Sequence, residues 1–292
     1  MTAMRLDLRP MDLGEILDRT FRLYRAHFMT FFLIMLMVHA ISFLTMLAVR
    51  AVYPQSTFWM IPLAPGQTPN PMAVVGFLLV MVVGFLTSQI GIGMLTVAVS
   101  SIYLGQPIQI GHALRRVRPA LNKLVGTTLL SFMIIGFGML ACLVPGVYFL
   151  LSYLLVGEVI VIEGQGGSKA LRRSHELMRT KSEKGFLHNN IMKASVILIV
   201  VFALRFMASM IVGIPFGILL VITHRHGQPV DVFAPLLILQ QVVTMVLQAG
   251  LAPIGIIAMI LFYYDIRIRT EGFDLQVLAS ALGSEAVPLV VP

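Results

Sequence analysis

Residues Glu163 to Gly185 read EGQGGSKALRRSHELMRTKSEKG, and the placement of this stretch decides the fold. It holds six of the 21 Lys and Arg residues, and a long apolar run stands on each side of it. A basic amphipathic segment so flanked is expected to lie on a membrane face between two spanning hairpins. The stretch also has a counterpart. Ala170-Leu171-Arg172-Arg173 repeats Ala113-Leu114-Arg115-Arg116, 57 positions upstream, and Glu163-Gly164-Gln165 echoes Leu104-Gly105-Gln106. The chain therefore reads as a repeated unit of surface helix plus membrane hairpin.

The bulk composition agrees. Apolar residues make up 58% of the chain and charged residues 12%, with a mean hydropathy of +0.92, whereas soluble domains have about a quarter charged residues. The sequence is that of a membrane protein. Cys142, the single cysteine, sits in an apolar run, which excludes a disulfide frame and a thiolate metal site and predicts a buried, inert thiol. The net charge of +8 is confined to segments beside apolar runs, so anionic lipid headgroups account for it and nucleic acid does not. The first 27 residues carry five Arg and four acids with no apolar core, so no secretory signal is expected there and the first span serves as its own insertion signal.

Asp12 to Phe28 follows Pro10, with Asp12 and Glu15 spaced as a capping box. Leu13, Ile16, Leu17, Phe21, Tyr24 and Phe28 share one helical face and Glu15, Asp18, Arg19, Arg22 and Arg25 the other, which predicts an interfacial helix over 12–27. Six apolar runs follow, at about 28–49, 72–102, 124–143, 145–162, 191–222 and 232–264. Each approaches or exceeds the roughly 20 residues that cross about 30 Å of hydrocarbon. The second, fifth and sixth are long enough that they must tilt, break or protrude, with bends expected at Gly84, Gly91, Gly93, Pro215, Pro235 and Pro253. Val144-Pro145-Gly146 is expected to be a tight turn between the third and fourth.

Of the 21 Lys and Arg residues, 18 fall at the N-terminus, in the 103–123 and 163–193 connections and at the C-terminus. The other three connections hold only Arg50 and Arg225. That asymmetry predicts cytoplasmic termini on both ends. The expected fold class is all-α: one transmembrane domain over 1–292, an integral bundle of six transmembrane helices in three hairpins, with amphipathic cytoplasmic segments at 108–123, 168–184 and 272–282. Three like-oriented repeats differ from the inverted halves common in secondary transporters.

Arg205 is the most informative candidate residue, because a cation near the middle of a span costs roughly 2.5 to 3.5 kcal/mol on insertion scales. One reading has it facing a polar cavity and engaging an anionic substrate or lipid phosphate. The other has it satisfied by helix-end carbonyls or by Gln89, Gln240, Gln241 or Gln248, polar residues acting as interhelical glue. Arg19, Arg22, Arg115, Arg116, Arg172 and Arg173 are the candidate headgroup contacts. Glu158 is expected to neutralise Lys193 or Arg172, its alternative being proton coupling, while Glu163 and Asp265 are expected to bond to the basic surface helices. His224, Arg225, His226 and Asp231 make only a weak metal pattern, read as an exposed polar turn. No phosphate loop, paired hydrolase carboxylates, nucleophile elbow or zinc helix motif is present, so neither an enzyme nor a cofactor is expected.

Several pieces resemble one bacterial family, the membrane domain of glycerophosphoryl diester phosphodiesterases and related six-span inner-membrane proteins. They are Leu8-Arg9-Pro10 with Leu13-Gly14-Glu15-Ile16-Leu17-Asp18 and Tyr24-Arg25; Ile162-Glu163 with Ala170-Leu171-Arg172-Arg173-Ser174; and Tyr263-Tyr264-Asp265-Ile266-Arg267 with Glu271-Gly272-Phe273-Asp274. The resemblance implies the fold and an address in the bacterial plasma membrane. It is not expected to carry over activity, since no catalytic residue of the hydrolase has a matching position and the sequence after the last span is too short for its barrel. The leading expectation is a non-enzymatic scaffold or accessory subunit that binds anionic lipid at its cytoplasmic face. Its rivals are a transporter or lipid-handling protein with a polar cavity around Arg205, and a membrane partner of a separate phosphodiesterase. A homo-oligomer or membrane-complex partners stay open.

Overall fold

A computed structural model describes residues 9–52, 71–103, 110–180, 189–225, 234–273 and 275. Its elements are all helical. In chain order they are α1 (Leu13–Ala26), α2 (Phe28–Val52), α3 (Pro71–Tyr103), α4 (Ile110–Val117), a 3₁₀ turn (Arg118–Ala120) and α5 (Leu121–Ala141). Then come α6 (Leu143–Ser152), α7 (Val156–Glu158), a π-helical turn (Val159–Glu163), α8 (Ser168–Arg179), α9 (Asn190–Arg225) and α10 (Ala234–Glu271). Among the described residues six helical stretches are long and apolar enough to cross a membrane: Phe28–Val52, Val74–Tyr103, Ala113–Ala141, Leu143–Glu163, Asn190–Leu219 and Pro235–Glu271. The chain is thus built as a multi-pass membrane protein.

The six stretches match the six apolar runs, with informative differences at their ends. The turn between the third and fourth falls at Cys142, in extended conformation at φ −170°, and not at Val144–Gly146. Pro145 sits inside the first turn of α6, where its missing N–H has no intrahelical acceptor to lose. Cys142 is exposed, contrary to the expectation of a buried thiol, because it occupies the link between two helices instead of the interior of one. The fourth stretch is no single rod. It breaks at 153–155, continues through α7 and the π-helical turn, and stops at Gly164 in the left-handed region, φ +71°. The helices expected to bend are continuous: α9 passes through Pro215 and α10 through Pro253. His224 and Arg225 belong to the last turn of α9, and 226–231 lie outside the described residues. So do 108–109, 181–184 and, apart from Gly272, Phe273 and Leu275, the expected amphipathic piece 272–282.

The residues gather into two compact units. The first comprises Met1–His27, Gly93–Val201 and Ile254–Pro292, the second Phe28–Ile92 and Phe202–Pro253. Within the first, α10 is the core element: every residue from Ile260 to Ile266 is buried, the all-round burial of a helix packed on every side. The three short basic helices each bury one face at helical spacing, through Ile16, Thr20 and Leu23 in α1, Ala113 and Val117 in α4, and Ala170, Ser174 and Leu177 in α8. Ala113 with Val117 and Ala170 with Ser174 are equivalent positions, so both copies bury the same two positions, although Leu171 is buried and its counterpart Leu114 exposed. α5 and α6 pack closely, and a Cβ on Gly146 would lie 2.7 Å from the Met139 backbone nitrogen, so only glycine fits there. Gly93 is similarly constrained, since its Cβ would lie 2.7 Å from Val117 Cγ1 of α4.

In the second unit, Gly91 lets α3 approach Met35 and Val38 of α2. Ser42 Oγ and Thr87 Oγ1 add a hydroxyl pair between those helices at 2.8 Å. Phe31, Ile34 and Met46 are buried there, but many other apolar side chains of the unit are exposed, among them Leu44, Leu78, Phe206, Met207 and Ile211. Such an extent of exposed apolar surface suits lipid and not water.

Candidate functional site

Two polar clusters stand out, one in each unit. The first is built on the C-terminal turns of α10, which continue seven residues beyond the expected end of the sixth span. Asp265, wholly buried, accepts from the Met11 backbone N–H at 2.7 Å and from Arg269 Nε at 3.0 Å, and pairs with Lys193 Nζ at 3.6 Å. Arg269 also donates to the Met11 carbonyl, 2.9 Å away. One carboxylate thus ties the chain entering α1 to α9 and α10. Two turns away Arg173 of α8 donates to Glu163 and Glu271, and Tyr263 Oη donates to Glu163 at 2.7 Å. Arg267 closes the ring by donating to Glu271 at 2.8 Å and stacking over Phe273 at 4.5 Å. Burial alone opposes the Arg173 charge, but the bonds it donates to Glu163 and Glu271 outweigh it and hold its pKa above the ordinary guanidinium value.

These contacts correct one expectation and refine others. Lys193 is neutralised by Asp265, and Arg172 pairs with Glu176 at 2.8 Å, so neither serves Glu158. Glu158 is buried and meets no cation among the described residues. Glu163 does bond to a basic surface helix, through Arg173, whereas Asp265 reaches the backbone that leads into α1. Among the candidate headgroup contacts, Arg22 is exposed and paired with Asp18 at 2.9 Å, and Arg172 is exposed beside Glu176. Arg19 lies over the Tyr103 ring at 5.2 Å. Arg115 and Arg116 are exposed. Arg173 is the exception, committed to internal carboxylates.

The second cluster surrounds the Arg expected at mid-span. Arg205 of α9 donates to Gln248 Oε1 of α10 from Nε at 3.3 Å and from Nη2 at 3.0 Å. With its carbonyl oxygen so engaged, the Gln248 amide keeps two N–H donors for other partners. Gln248 also lines a cavity of about 240 Å³ with His39, Ser42, Gln241 and Thr244 among apolar neighbours such as Phe43. His39 Nε2 is buried without a hydrogen-bond partner. Of the other glutamines named with Arg205, Gln89 is buried on α3 and Gln240 half-buried beside Gln241. Arg205 itself is exposed, bonded to one glutamine and not enclosed by several.

No family model, curated protein or solved structure matches this chain. The site is accordingly read from its own geometry. Neither cluster gathers three His, Cys, Asp or Glu side chains able to hold a metal among the described residues.

Sequence reasoning found Arg205 and its Gln248 partner but underrated the α10 terminus. Ending the sixth span at 264 hid the fact that Tyr263, Arg267 and Glu271, and separately Asp265 and Arg269, are spaced four apart on one continuing helix. That i, i+4 spacing was the available signal.

Proposed function

We propose that the chain is a non-enzymatic integral protein of the bacterial plasma membrane, with six spans in three hairpins, both termini cytoplasmic, and α1, α4 and α8 lying flat on the cytoplasmic face. There it holds anionic lipid and acts as a scaffold or accessory subunit for envelope processes. The observation that carries the reading is the common design of these three helices. Each buries a narrow face in the protein and turns arginines outward, Arg22 in α1, Arg115 and Arg116 in α4, Arg172 in α8. Exposed i, i+4 ion pairs such as Arg22–Asp18 are worth only about 0.3–0.5 kcal/mol, so a lipid phosphate can displace the carboxylate. The resemblance to the phosphodiesterase membrane domain supports the same address.

The test is lipid retention by the purified chain at low salt. Replacing Arg22, Arg115 and Arg172 together by Gln is expected to lower retained phosphatidylglycerol, at about 1 kcal/mol per cation near the surface. Unchanged retention would contradict the lipid role.

A second reading, a transporter or lipid-handling protein, draws on the 240 Å³ cavity, where an unpartnered His39 nitrogen and the Gln248 amide adjoin a mid-span cation. Transport of an anionic solute that is lost in Arg205→Met, with lipid retention intact, would favour it.

A further inference from the structure

The repeated tetrapeptide places two arginines in equivalent positions with different surroundings. Arg173, second in its pair, meets the carboxylates of Glu163 and Glu271. Arg116, its counterpart in α4, makes no ion pair among the described residues and lines a small cavity of about 60 Å³. Ser100 and Ser101 near the end of α3, Tyr264 of α10, and the apolar side chains of Val97 and Val161 complete most of the wall, which contains no carboxylate.

Ser100 adds a buried hydroxyl to the wall. Four helical serines donate to a carbonyl one turn back: Ser88 to Phe85, Ser131 to Thr127, Ser195 to Ile191 and Ser209 to Arg205, all at 2.7–2.8 Å. Ser100 Oγ is buried and makes no such bond. It lines the same cavity as the Arg116 guanidinium, with the Tyr264 hydroxyl beside it, and no carboxylate of the wall answers the Arg116 charge.

We infer that Arg116, Ser100 and Ser101 form a cradle for one phosphate group, in which an external anion does for Arg116 what Glu163 and Glu271 do for Arg173. The chemistry fits. A guanidinium fork binds phosphate oxygens bidentately, and serine hydroxyls donate to those that remain. The negative end of the α3 dipole opposes an anion here, but it amounts to about half a charge shared among the last carbonyls, against the full charge on Arg116. The volume exceeds the 10–15 Å³ that holds one water, which leaves room for a larger polar group. The inference rests on the lipid-binding reading for the source of the phosphate, a phospholipid headgroup, though not for the cradle itself.

The experiment uses the full chain in detergent, titrated with short-chain phosphatidylglycerol and, in a separate arm, with inorganic phosphate. Binding is read by native mass spectrometry and thermal shift. Arg116→Gln and Ser100→Ala are each expected to weaken phosphatidylglycerol binding roughly ten-fold. Arg116→Lys, which keeps the charge but loses the fork, should lie between, and Arg115→Gln should show only the smaller loss of one screened surface charge. Ser100→Ala is a minimal change, so it carries the test if the arginine variants fold poorly. Wild-type affinity in Arg116→Gln and Ser100→Ala overturns the cradle, and the lipid reading survives if the triple variant of Arg22, Arg115 and Arg172 still loses lipid. Retention unchanged in every variant overturns both. Protection by inorganic phosphate alone, with the same dependence on Arg116 and Ser100, supports the cradle and overturns the lipid as its occupant.

Discussion

Asp265 carries a heavy local demand, with a backbone N–H, a guanidinium and a buried ammonium all directed at one carboxylate. Asp265→Asn would leave Lys193, itself almost wholly buried, without a counter-charge. Breaking such a pair from one side costs roughly 3–5 kcal/mol, much more than its net stabilisation. Asp265→Asn is therefore expected to lower the melting temperature of the purified protein sharply, and Asp265→Asn with Lys193→Met to recover part of the loss. Arg173→Gln is the milder case. It leaves Glu163 and Glu271 facing each other at a partly exposed site and should cost about 1–3 kcal/mol in the same measurement. The residue scale was the least legible in the sequence. Arg205 announced itself because a charge within an apolar run is conspicuous, whereas Asp265 and Lys193 lie at run ends, where charges are ordinary. The two are 72 positions apart and only the fold brings them together.

Elements were legible where composition alone decides them. Six apolar runs became six membrane-length helical stretches, and the basic segments around Arg22, Arg115 and Arg172 became the short helices α1, α4 and α8. The ends were less legible, because proline has two meanings. Pro145 reads as a turn residue and lies in the first turn of α6. Close packing in turn depends on glycines whose role no periodicity reveals. Gly146→Ala places a Cβ 2.7 Å from backbone at Met139, and overpacking of this kind costs roughly 1–3 kcal/mol. A thermal melt should show that loss, while Gly136→Ala on α5, where a Cβ meets nothing within 4 Å, should melt like the parent. Gly93→Ala, against Val117, is expected to behave like Gly146→Ala and to disturb the seat of α4.

For the molecule as a whole, the proposal stands on cation asymmetry: 18 of 21 Lys and Arg residues belong to segments assigned to one side. The one cysteine gives a direct way to test it. Cys142 is exposed in the link between α5 and α6, which the topology puts outside the cytoplasm. Intact cells expressing the full chain can be treated with a membrane-impermeant maleimide, using the native Cys142 and, in a Cys142→Ser background, Arg172→Cys on α8. With α8 on the cytoplasmic face, Cys142 is expected to react in intact cells and Arg172→Cys only after the membrane is permeabilised. Labelling of Arg172→Cys from outside, with Cys142 reached only after permeabilisation, would contradict it.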